Sequence, residues 1–435
     1  MLFKNAQRII ENGKTRELKV ARENILKMLN AAINAVDSYK VTKECLHPFF
    51  ERSDYQSIYL LAFGKASVPM AKAVCDTLQI KNGIVITNET NNRVGHKKVK
   101  TFVADHPAPT SRNIKATDYA LSMIEQCKSN DLLIVLISGG GSALFCKPRV
   151  SLSDIQRLTE LLLKSGLDIK EINTIRKHLS YIKGGQLVRL AKCDISAYII
   201  SDVVGDPLEF IASGPTVPDS TTYNDAKNIL KKYGLWNKVP ASIQNILIRG
   251  IRGELSETPK PGDKMFDRVK NTIVANNSKA CKAVKNKAEE LGYKGIIFST
   301  ELTGNARDVG KLLIKYAENL ESGSVLVAGG ETTVKVKGNG KGGRNQEMIL
   351  SSVEHIADTD IVFSSLATDG IDGNSDAAGA IADGYTKERA KNMGMKIESY
   401  LRNNDSYHFF KKLDELLVTG YTGTNVMDVQ LILYV

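Results

Sequence analysis

The sequence has no apolar run long enough to cross a membrane as a helix, and residues 1–8 do not form the pattern of a signal peptide. Its six cysteines are scattered along the chain and never form a Cys-x-x-Cys pair. That spacing argues against a zinc site or a disulfide framework and for a reducing compartment. We therefore expect a cytoplasmic globular protein with no membrane partner.

Motifs that bind nucleic acids are also missing, although the formal net charge is +11. The basic residues are spread along the chain instead of forming runs with interleaved aromatic residues. No recognition helix, RNA-binding platform or zinc finger can be identified. The charge therefore favours a lysine-rich surface, or a pocket for an anionic small molecule, over a nucleic-acid partner.

Two common nucleotide-binding loops are absent as well. Gly64-Lys65-Ala66 lacks the upstream glycine and the following Ser or Thr of a Walker A loop. Glycines 338, 340 and 343 formally match the dinucleotide fingerprint, but the strand before them is amphipathic, whereas the fingerprint's first strand is buried. The fingerprint's acidic residue is expected to end the next strand, but Asp358 and Asp360 precede that strand. A nucleotide bound by this chain would therefore need a different kind of loop.

What the sequence does contain is a regular alternation of apolar strands and helices over 435 residues, which is too long for one ordinary domain. We predict an α/β fold with two domains: an N-terminal Rossmann-like domain with a doubly wound parallel sheet, and a C-terminal α/β domain. Residues 332–337 alternate polar and apolar side chains, which predicts a strand with one face exposed to solvent. We therefore expect the second sheet to be mixed. The predicted ranges are 1–240 and 266–435, joined by a linker at 241–265 that is rich in Pro, Gly and charge.

The most prominent motif is a run of three glycines flanked by two serines, at residues 138–142. It follows the apolar run 132–136, which predicts a fully buried strand of a parallel sheet. Glycine lets the backbone take positive φ and lets a ligand approach bare N–H groups. A strand that leads into such a loop is suited to holding an anion. The alternative is a tight turn between a strand and a helix, without a ligand.

Polar residues also follow most of the other predicted strands. In open α/β sheets, ligands bind beyond the carboxyl ends of the strands. Carboxylates there can hold a divalent cation, while Lys, Arg and backbone N–H groups hold phosphate oxygens. The residues that follow these strands are Gly64 and Lys65, Asp202 and Asp206, Asn276 and Asn277, Glu301 and Thr303, Glu331, and Asp369 and Asp372. A glycine-rich loop that opens a predicted helix at 345–355 adds Arg344, which we expect to face an anion.

Several longer motifs resemble those of one family and occur in that family's order. They are FGKAS at 63–67, SGGGSAL at 138–144, NTIRKHLSYIKGG at 173–185, SDVVGD at 201–206, ASGPTV at 212–217, GGETT at 329–333, GGRNQE at 342–347, ATDGIDG at 367–373 and TGTNV at 422–426. The chain resembles the class II glycerate kinases, which are the glycerate 2-kinases of the MOFRL family, and in particular the archaeal-type D-glycerate 2-kinases.

The resemblance implies that ATP phosphorylates D-glycerate at its 2-hydroxyl, in a cleft between the two domains. ATP is then the phosphoryl donor, and Mg²⁺ or another divalent cation is the expected metal. Catalytic roles are expected for Lys65, Arg344 and Asp202. The residues expected to bind substrate or nucleotide are Gly64, Ser138, Gly139, Gly140, Gly141, Ser142, Asn277, Glu331, Thr332 and Asn345. Those expected to bind the metal are Asp202, Asp206, Glu331 and Asp369.

Other functions stay open at this point. The phosphoryl group could go to the 3-hydroxyl, or the protein could be an NAD(P)-dependent hydroxypyruvate reductase, as the family's naming history and the formal dinucleotide match suggest. A non-catalytic binding module for anionic metabolites is disfavoured by the many carboxylates at strand ends. The partner expected is a small-molecule substrate, and a homodimer is left open.

Overall fold

The structure is a computed structural model that describes residues 2–46 and 55–435. The chain forms two compact units. We call Ser38–Val274 the parallel-sheet unit, and residues 2–37 together with Ala275–Val435 the mixed-sheet unit. Among the described residues, no helix is both long and apolar enough to span a membrane.

Strands and helices alternate along most of the chain. The strands are β1 (Ile58–Phe63), β2 (Asn82–Thr87), β3 (Val99–Val103), β4 (Leu132–Ile137), β5 (Asp194–Ile200), β6 (Val269–Ala275), β7 (Lys294–Leu302), β8 (Ser324–Gly330), β9 (Ile361–Ala367), β10 (Gly379–Asp383), β11 (Leu416–Leu417) and β12 (Asp428–Tyr434). The helices are α1 (Ala6–Glu11), α2 (Arg16–Ala35), α3 (Ser38–Leu46), α4 (Ser67–Cys75), α5 (Ser111–Ile124), α6 (Gly141–Leu144), α7 (Leu152–Lys164), α8 (Ile169–His178), α9 (Gln186–Leu190), α10 (Tyr223–Lys232), α11 (Ala241–Ile251), α12 (Asn277–Glu290), α13 (Ala306–Ala317), α14 (Arg344–Ser352), α15 (Thr386–Asn392), α16 (Ile397–Arg402) and α17 (Ser406–Lys412).

The parallel-sheet unit has the strand order β3-β2-β1-β4-β5-β6. The pairs from β3 through β5 are all parallel, with Leu60 of β1 opposite Ile134 of β4. Strand β4 is buried at every position, as expected when helices cover both faces of a sheet. The predicted doubly wound parallel sheet is confirmed. Its strand order runs outward in opposite directions from β1 and β4, which makes the gap between their ends the switch point of the sheet.

The mixed-sheet unit has the strand order β11-β10-β9-β12-β8-β7. Strands β7 and β8 are parallel, whereas β12 is antiparallel to both β8 and β9. The mixed sheet is therefore confirmed, but the strand predicted at 332–337 is wrong. In that segment only Thr333 forms a bridge, to Asn305. The N–H of Lys337 donates to Asn404 Oδ1 at 2.8 Å, so this backbone bonds a side chain in place of a neighbouring strand.

The two units begin and end at positions other than the predicted ones. The predicted linker 241–265 contains α11, whose Ile243 and Leu247 are fully buried in the core of the parallel-sheet unit. Strand β6 lies in the parallel sheet, although the predicted C-terminal domain begins at residue 266. Helices α1 and α2 belong to the mixed-sheet unit, although the predicted N-terminal domain includes them.

A buried ion cluster helps to explain why α2 belongs with the C-terminal part of the chain. Arg22 Nε lies 2.8 Å from Asp383 Oδ2 and Arg22 Nη2 lies 2.5 Å from Glu415 Oε1, and all three side chains are 0% exposed. Removing one partner would leave a buried charge unpaired, which costs about 3–5 kcal/mol. The first contact joins residues 361 positions apart, a separation that no local sequence pattern can predict.

Candidate active site

The triple-glycine loop lies at the switch point of the parallel sheet. Gly64 follows β1 and Ser138 follows β4, and these two strands are neighbours in the sheet. The N–H of Lys65 donates to the carbonyl oxygen of Gly139 at 2.8 Å, and the N–H of Ala66 donates to Ser138 Oγ at 3.1 Å. The two segments that the sequence singled out are therefore bonded directly to each other.

The close approach of these segments requires glycine at position 64. Gly64 has φ of 123°, and a Cβ at this position would lie 2.2 Å from Ser138 Oγ and 2.5 Å from the Ser138 carbonyl oxygen. Both distances are far below van der Waals contact. A side chain at Gly64 would separate Lys65 from the triple-glycine loop.

The backbone of the triple-glycine loop keeps two donors available. The N–H groups of Gly139 and Gly140 donate to no acceptor within residues 2–46 and 55–435, whereas the N–H of Gly141 donates to Ser138 O at 3.2 Å. A Cβ at Gly140, where φ is 78°, would lie 3.0 Å from His106 Cδ2 and 3.5 Å from Lys65 Cγ. Unpaired amides next to a lysine are the elements of an anion cradle. We call residues 138–142 with Lys65 the glycine cradle.

The positive charge at the glycine cradle comes from Lys65 and not from His106. Burial, and then the charge of Lys65, lower the pKa of His106 below its ordinary value. His106 is therefore neutral near pH 7. A neutral imidazole can donate one hydrogen bond and accept another beside a bound anion.

The third neighbouring strand end carries the two aspartates that the sequence singled out. Asp202 and Asp206 follow β5, which pairs with β4, and both side chains are half-buried. Within the described part of the chain, no three acidic, histidine or cysteine side chains converge as a metal site. Mg²⁺ with a nucleotide needs only one or two carboxylates, because phosphates and water supply its other oxygens. The donor type of Asp202 and Asp206 fits that requirement.

Arg344 of the mixed-sheet unit is held by two carboxylates. Its Nε and Nη2 lie 2.5 and 2.9 Å from the two carboxylate oxygens of Asp428, and its Nη1 lies 2.6 Å from Glu331 Oε1. The Asp428 side chain is 0% exposed, whereas that of Glu331 is 43% exposed. Two carboxylates around one guanidinium leave this cluster with one negative charge.

The electrostatics of the cluster follow from burial and from these pairings. Burial raises the pKa of both Glu331 and Asp428, and the Arg344 charge opposes that rise. Asp369 adds a further negative charge that raises both pKa values. Burial lowers the pKa of Arg344, but the carboxylates of Asp428, Glu331 and Asp372 together outweigh it, so the guanidinium stays charged.

Two of the predicted binding residues use their side chains within the mixed-sheet unit. The amide of Asn277 donates to Val426 O at 2.9 Å and to Asp428 O at 2.8 Å. The N–H and the side-chain amide of Asn345 both donate to Asp372 Oδ1 at 3.1 Å. Asn277 thus holds the start of β12, and the Asn345–Asp372 pair holds the start of α14.

In the second glycine-rich segment, residues 337–343, almost every backbone N–H already donates a hydrogen bond to another part of the mixed-sheet unit. The N–H groups of Lys337 and Gly338 donate to Asn404 Oδ1 at 2.8 and 3.1 Å, that of Asn339 to Asn403 Oδ1 at 3.1 Å, that of Gly340 to Asn403 O at 2.9 Å, that of Lys341 to Asp405 Oδ1 at 3.0 Å and that of Gly342 to Asn374 Oδ1 at 2.8 Å. These amides are not available to a phosphate.

A cavity of about 500 Å³ lies beside this segment, within the mixed-sheet unit. Its lining includes Thr332, Val334, Arg344 and Glu347. The hydroxyl of Thr332 is buried and has no hydrogen-bond partner in the described part of the chain. The volume is in the range of small-molecule sites.

Asp428 was not among the predicted site residues, although it is the main partner of Arg344. The signal was present: Asp428 is a single acidic residue that opens the otherwise apolar strand β12. A carboxylate at the buried end of a strand needs a counter-charge. His106 was not among the predicted site residues either, because a histidine in a proline-containing loop is more often structural.

Comparisons with known proteins address the family. A family model described as "Domain of unknown function (DUF4147)" matches residues 24–248, and one described as "MOFRL family" matches residues 324–428. A Pyrococcus horikoshii protein named glycerate 2-kinase is 42% identical over 94% of this chain and 96% of its own length. The chain belongs to the class II glycerate kinase family. The Thermotoga maritima member named D-glycerate 2-kinase is 40% identical over 93% of this chain and 96% of its own length.

The glycerate kinase fold extends over nearly the whole chain. The crystal structure of Thermotoga maritima glycerate kinase matches with a TM-score of 0.86 at 39% identity, covering 95% of this chain and 99% of that one. The resemblance seen in the sequence motifs is thus confirmed for the family and for the two-sheet α/β fold. The roles of the individual residues, and the expected position of the site between the units, stay predictions.

Proposed function

We propose that this glycerate kinase transfers the γ-phosphoryl group of ATP to the 2-hydroxyl of D-glycerate, giving 2-phosphoglycerate and ADP. The observation that carries the proposal is the glycine cradle: two unpaired amides, those of Gly139 and Gly140, beside Lys65 at the switch point of the sheet. The names of the two relatives, glycerate 2-kinase and D-glycerate 2-kinase, support the acceptor and the position of transfer.

Phosphoryl transfer fits a site that combines two fixed N–H donors, those of Gly139 and Gly140, with the flexible side chain of Lys65. Phosphoryl transfer depends mainly on positioning and on neutralising charge on the equatorial oxygens. The Gly139 and Gly140 amides would bind these oxygens without reorganising, because the loop is fixed by the hydrogen bonds that it accepts from the N–H groups of Lys65 and Ala66. The Lys65 ammonium would stabilise the negative charge that develops on the β-phosphate during transfer.

A divalent cation is the cofactor proposed with ATP. Asp202 and Asp206 of the parallel-sheet unit would hold it, and the metal-binding roles expected for Glu331 and Asp369 stay predictions. When bound, the metal neutralises phosphate charge and orients the transferring group. We propose that Asp202 also accepts the proton of the attacking hydroxyl.

Arg344 has a defined place in this proposal. Asp428 holds its guanidinium through two hydrogen bonds, so its direction is fixed. Glu331 is the exchangeable partner, because its side chain is 43% exposed. An anionic substrate group would replace Glu331 on Nη1.

The test is to incubate the protein with ATP, Mg²⁺ and D-glycerate and then to add enolase. Immediate formation of phosphoenolpyruvate without a mutase is expected, because enolase accepts the 2-phosphate isomer. ADP release without phosphoenolpyruvate would assign transfer to the 3-hydroxyl. Glycerate binding without ADP release would indicate a binding module, and oxidation of a reduced nicotinamide by hydroxypyruvate would indicate a reductase.

A further inference from the structure

Two cationic side chains near the glycine cradle, the buried Lys183 and the half-buried Arg176, form no ion pair with any acidic residue that the structure describes. Lys183 is 5% exposed, and its Nζ donates to the carbonyl oxygen of Ser142 at 2.6 Å and to Ser142 Oγ at 3.0 Å. Arg176, on α8, is half-buried and lines a cavity, and its side chain forms no hydrogen bond or ion pair with any residue that the structure describes. Both residues come from the motif at 173–185, and neither was singled out for function by the sequence analysis.

Within residues 2–46 and 55–435, no acidic side chain forms an ion pair with Arg176 or Lys183. The titratable groups near Lys183 are Arg176 and the thiol of Cys146, and burial raises the pKa of that thiol, so it is neutral. Burial, together with the Arg176 charge, lowers the pKa of Lys183 to about 8. Buried cations are normally paired, because removing a charge from water without compensation is strongly unfavourable. Two neighbouring cations without an acidic partner among the described residues therefore indicate a place where an anion can bind.

A small cavity lies between the two side chains. It has a volume of about 30 Å³, and its lining includes Arg176, Lys183, Ser142, Ser180 and Cys146. One water molecule needs roughly 10–15 Å³ of such space, so the cavity can take a single carboxylate group but not a whole nucleotide. The planar guanidinium of Arg is the side chain best matched to the two oxygens of a carboxylate. Ser142 is also the last residue of the glycine cradle.

We propose that Arg176 and Lys183 bind the carboxylate of the acceptor substrate, next to the glycine cradle that holds the phosphoryl group. This inference rests on the proposed function, because it assigns one end of D-glycerate to a place in the protein. It divides the two negative groups of the product between two neighbouring sites. The carboxylate lies on the two cations, and the 2-phosphate lies on the amides of Gly139 and Gly140 and on Lys65.

The experiment compares an acid substrate with its neutral isostere. Arg176→Met is expected to lower kcat/KM for D-glycerate by about 100-fold or more, since a buried charge pair is lost. For D-glyceramide, which replaces the carboxylate by an uncharged amide, kcat/KM is expected to change by less than about threefold, because that substrate never had the ion pair. Arg157→Met, which removes an exposed positive charge from α7, is the matched control and should leave both values unchanged.

A second variant and a binding measurement make the result independent of folding and of turnover. Arg176→Lys keeps the charge without the planar fork, and an intermediate loss confined to D-glycerate is expected. Calorimetry should show that D-glycerate binding weakens in both Arg176 variants. Equal losses of kcat/KM for D-glycerate and D-glyceramide, or unchanged binding of D-glycerate, would overturn the carboxylate assignment. If instead the unmodified protein does not phosphorylate D-glycerate at all, the proposed function fails, and calorimetry alone then decides whether the pair binds the carboxylate.

Discussion

Two glycine-rich segments, one in each unit, differ in how their backbone N–H groups are used. Residues 138–142 and 337–343 each lead into a helix, α6 and α14 respectively. In the first segment, the N–H groups of Gly139 and Gly140 have no acceptor among the described residues. In the second, Asn403, Asn404, Asp405 and Asn374 accept nearly every backbone N–H.

The difference has a simple steric cause. A Cβ at Gly338 or Gly340 would lie 2.4 or 2.6 Å from the carbonyl oxygen of Asn403, so these glycines let two protein segments pack together. A Cβ at Gly140 would instead meet side-chain atoms alone within the described chain: His106 Cδ2 and Lys65 Cγ, 3.0 and 3.5 Å away. Glycine content therefore does not identify an anion site. What identifies it is whether the backbone donors are already used.

The largest effect is expected from removing the cation of the first segment. Lys65→Met should lower kcat for D-glycerate phosphorylation by on the order of 10³-fold or more, as loss of a charge-stabilising cation does in other phosphoryl transfers. The matched control is Lys72→Met on the neighbouring helix α4, where Nζ donates to Asn92 Oδ1 at 3.2 Å. Steady-state kinetics and a thermal melt measure both variants. Near-normal turnover of Lys65→Met would remove the glycine cradle from the mechanism.

Adding one methyl group to each segment tests the comparison directly. Gly140→Ala should lower kcat/KM by about 100-fold, because the new Cβ enters the cradle and the amide is displaced. Gly340→Ala should instead lower stability by about 1–3 kcal/mol through overpacking, with kcat/KM within about threefold of normal. Kinetics and denaturant unfolding of the two variants measure this. A loss of activity without a loss of stability in Gly340→Ala would contradict the distinction between the segments.

The next largest effect is expected from raising the pH, because it removes the charge of Lys183. Lys183 is protonated below its pKa of about 8 and loses its charge as the pH rises through that value. The kcat/KM for D-glycerate, which reports the free enzyme, should therefore fall by about tenfold per pH unit above roughly pH 8. In Lys183→Arg this fall should disappear, because arginine stays charged. An identical pH profile in the variant would exclude Lys183 as the group responsible, and Arg157→Met again serves as the control.

The smallest effect is expected at the lysine of the second segment. Lys341 Nζ lies 3.2 Å from Asp376 Oδ1 and 3.9 Å from the centre of the Tyr407 ring, so its charge is already engaged within the mixed-sheet unit. Lys341→Met should change kcat and KM by less than about threefold and leave the midpoint of denaturant unfolding nearly unchanged, because the ion pair is exposed. A loss comparable to that of Lys65→Met would show that both segments bind the substrate.

Part of the site could be predicted because its geometry is a consequence of local sequence. Apolar runs of four to six residues predict buried parallel strands, and the ends of such strands meet at one edge of a sheet. Gly64, Lys65 and Ser138 were therefore expected to lie together, and the hydrogen bonds between the two loops bear this out. Three glycines in a row after a buried strand gave the position of the cradle for the same reason.

The sequence by itself thus determined the two-sheet α/β fold, the strand ends of the parallel sheet and, through its motifs, the glycerate kinase family. Only the tertiary structure decided that Arg344 is held by Asp428, that α2 belongs to the mixed-sheet unit and that Arg176 and Lys183 face one cavity. The physical reason is that periodicity and turn chemistry are local, whereas charge pairing is not. The Arg344–Asp428 contact joins residues 84 positions apart, and the Arg22–Asp383 contact joins residues 361 apart.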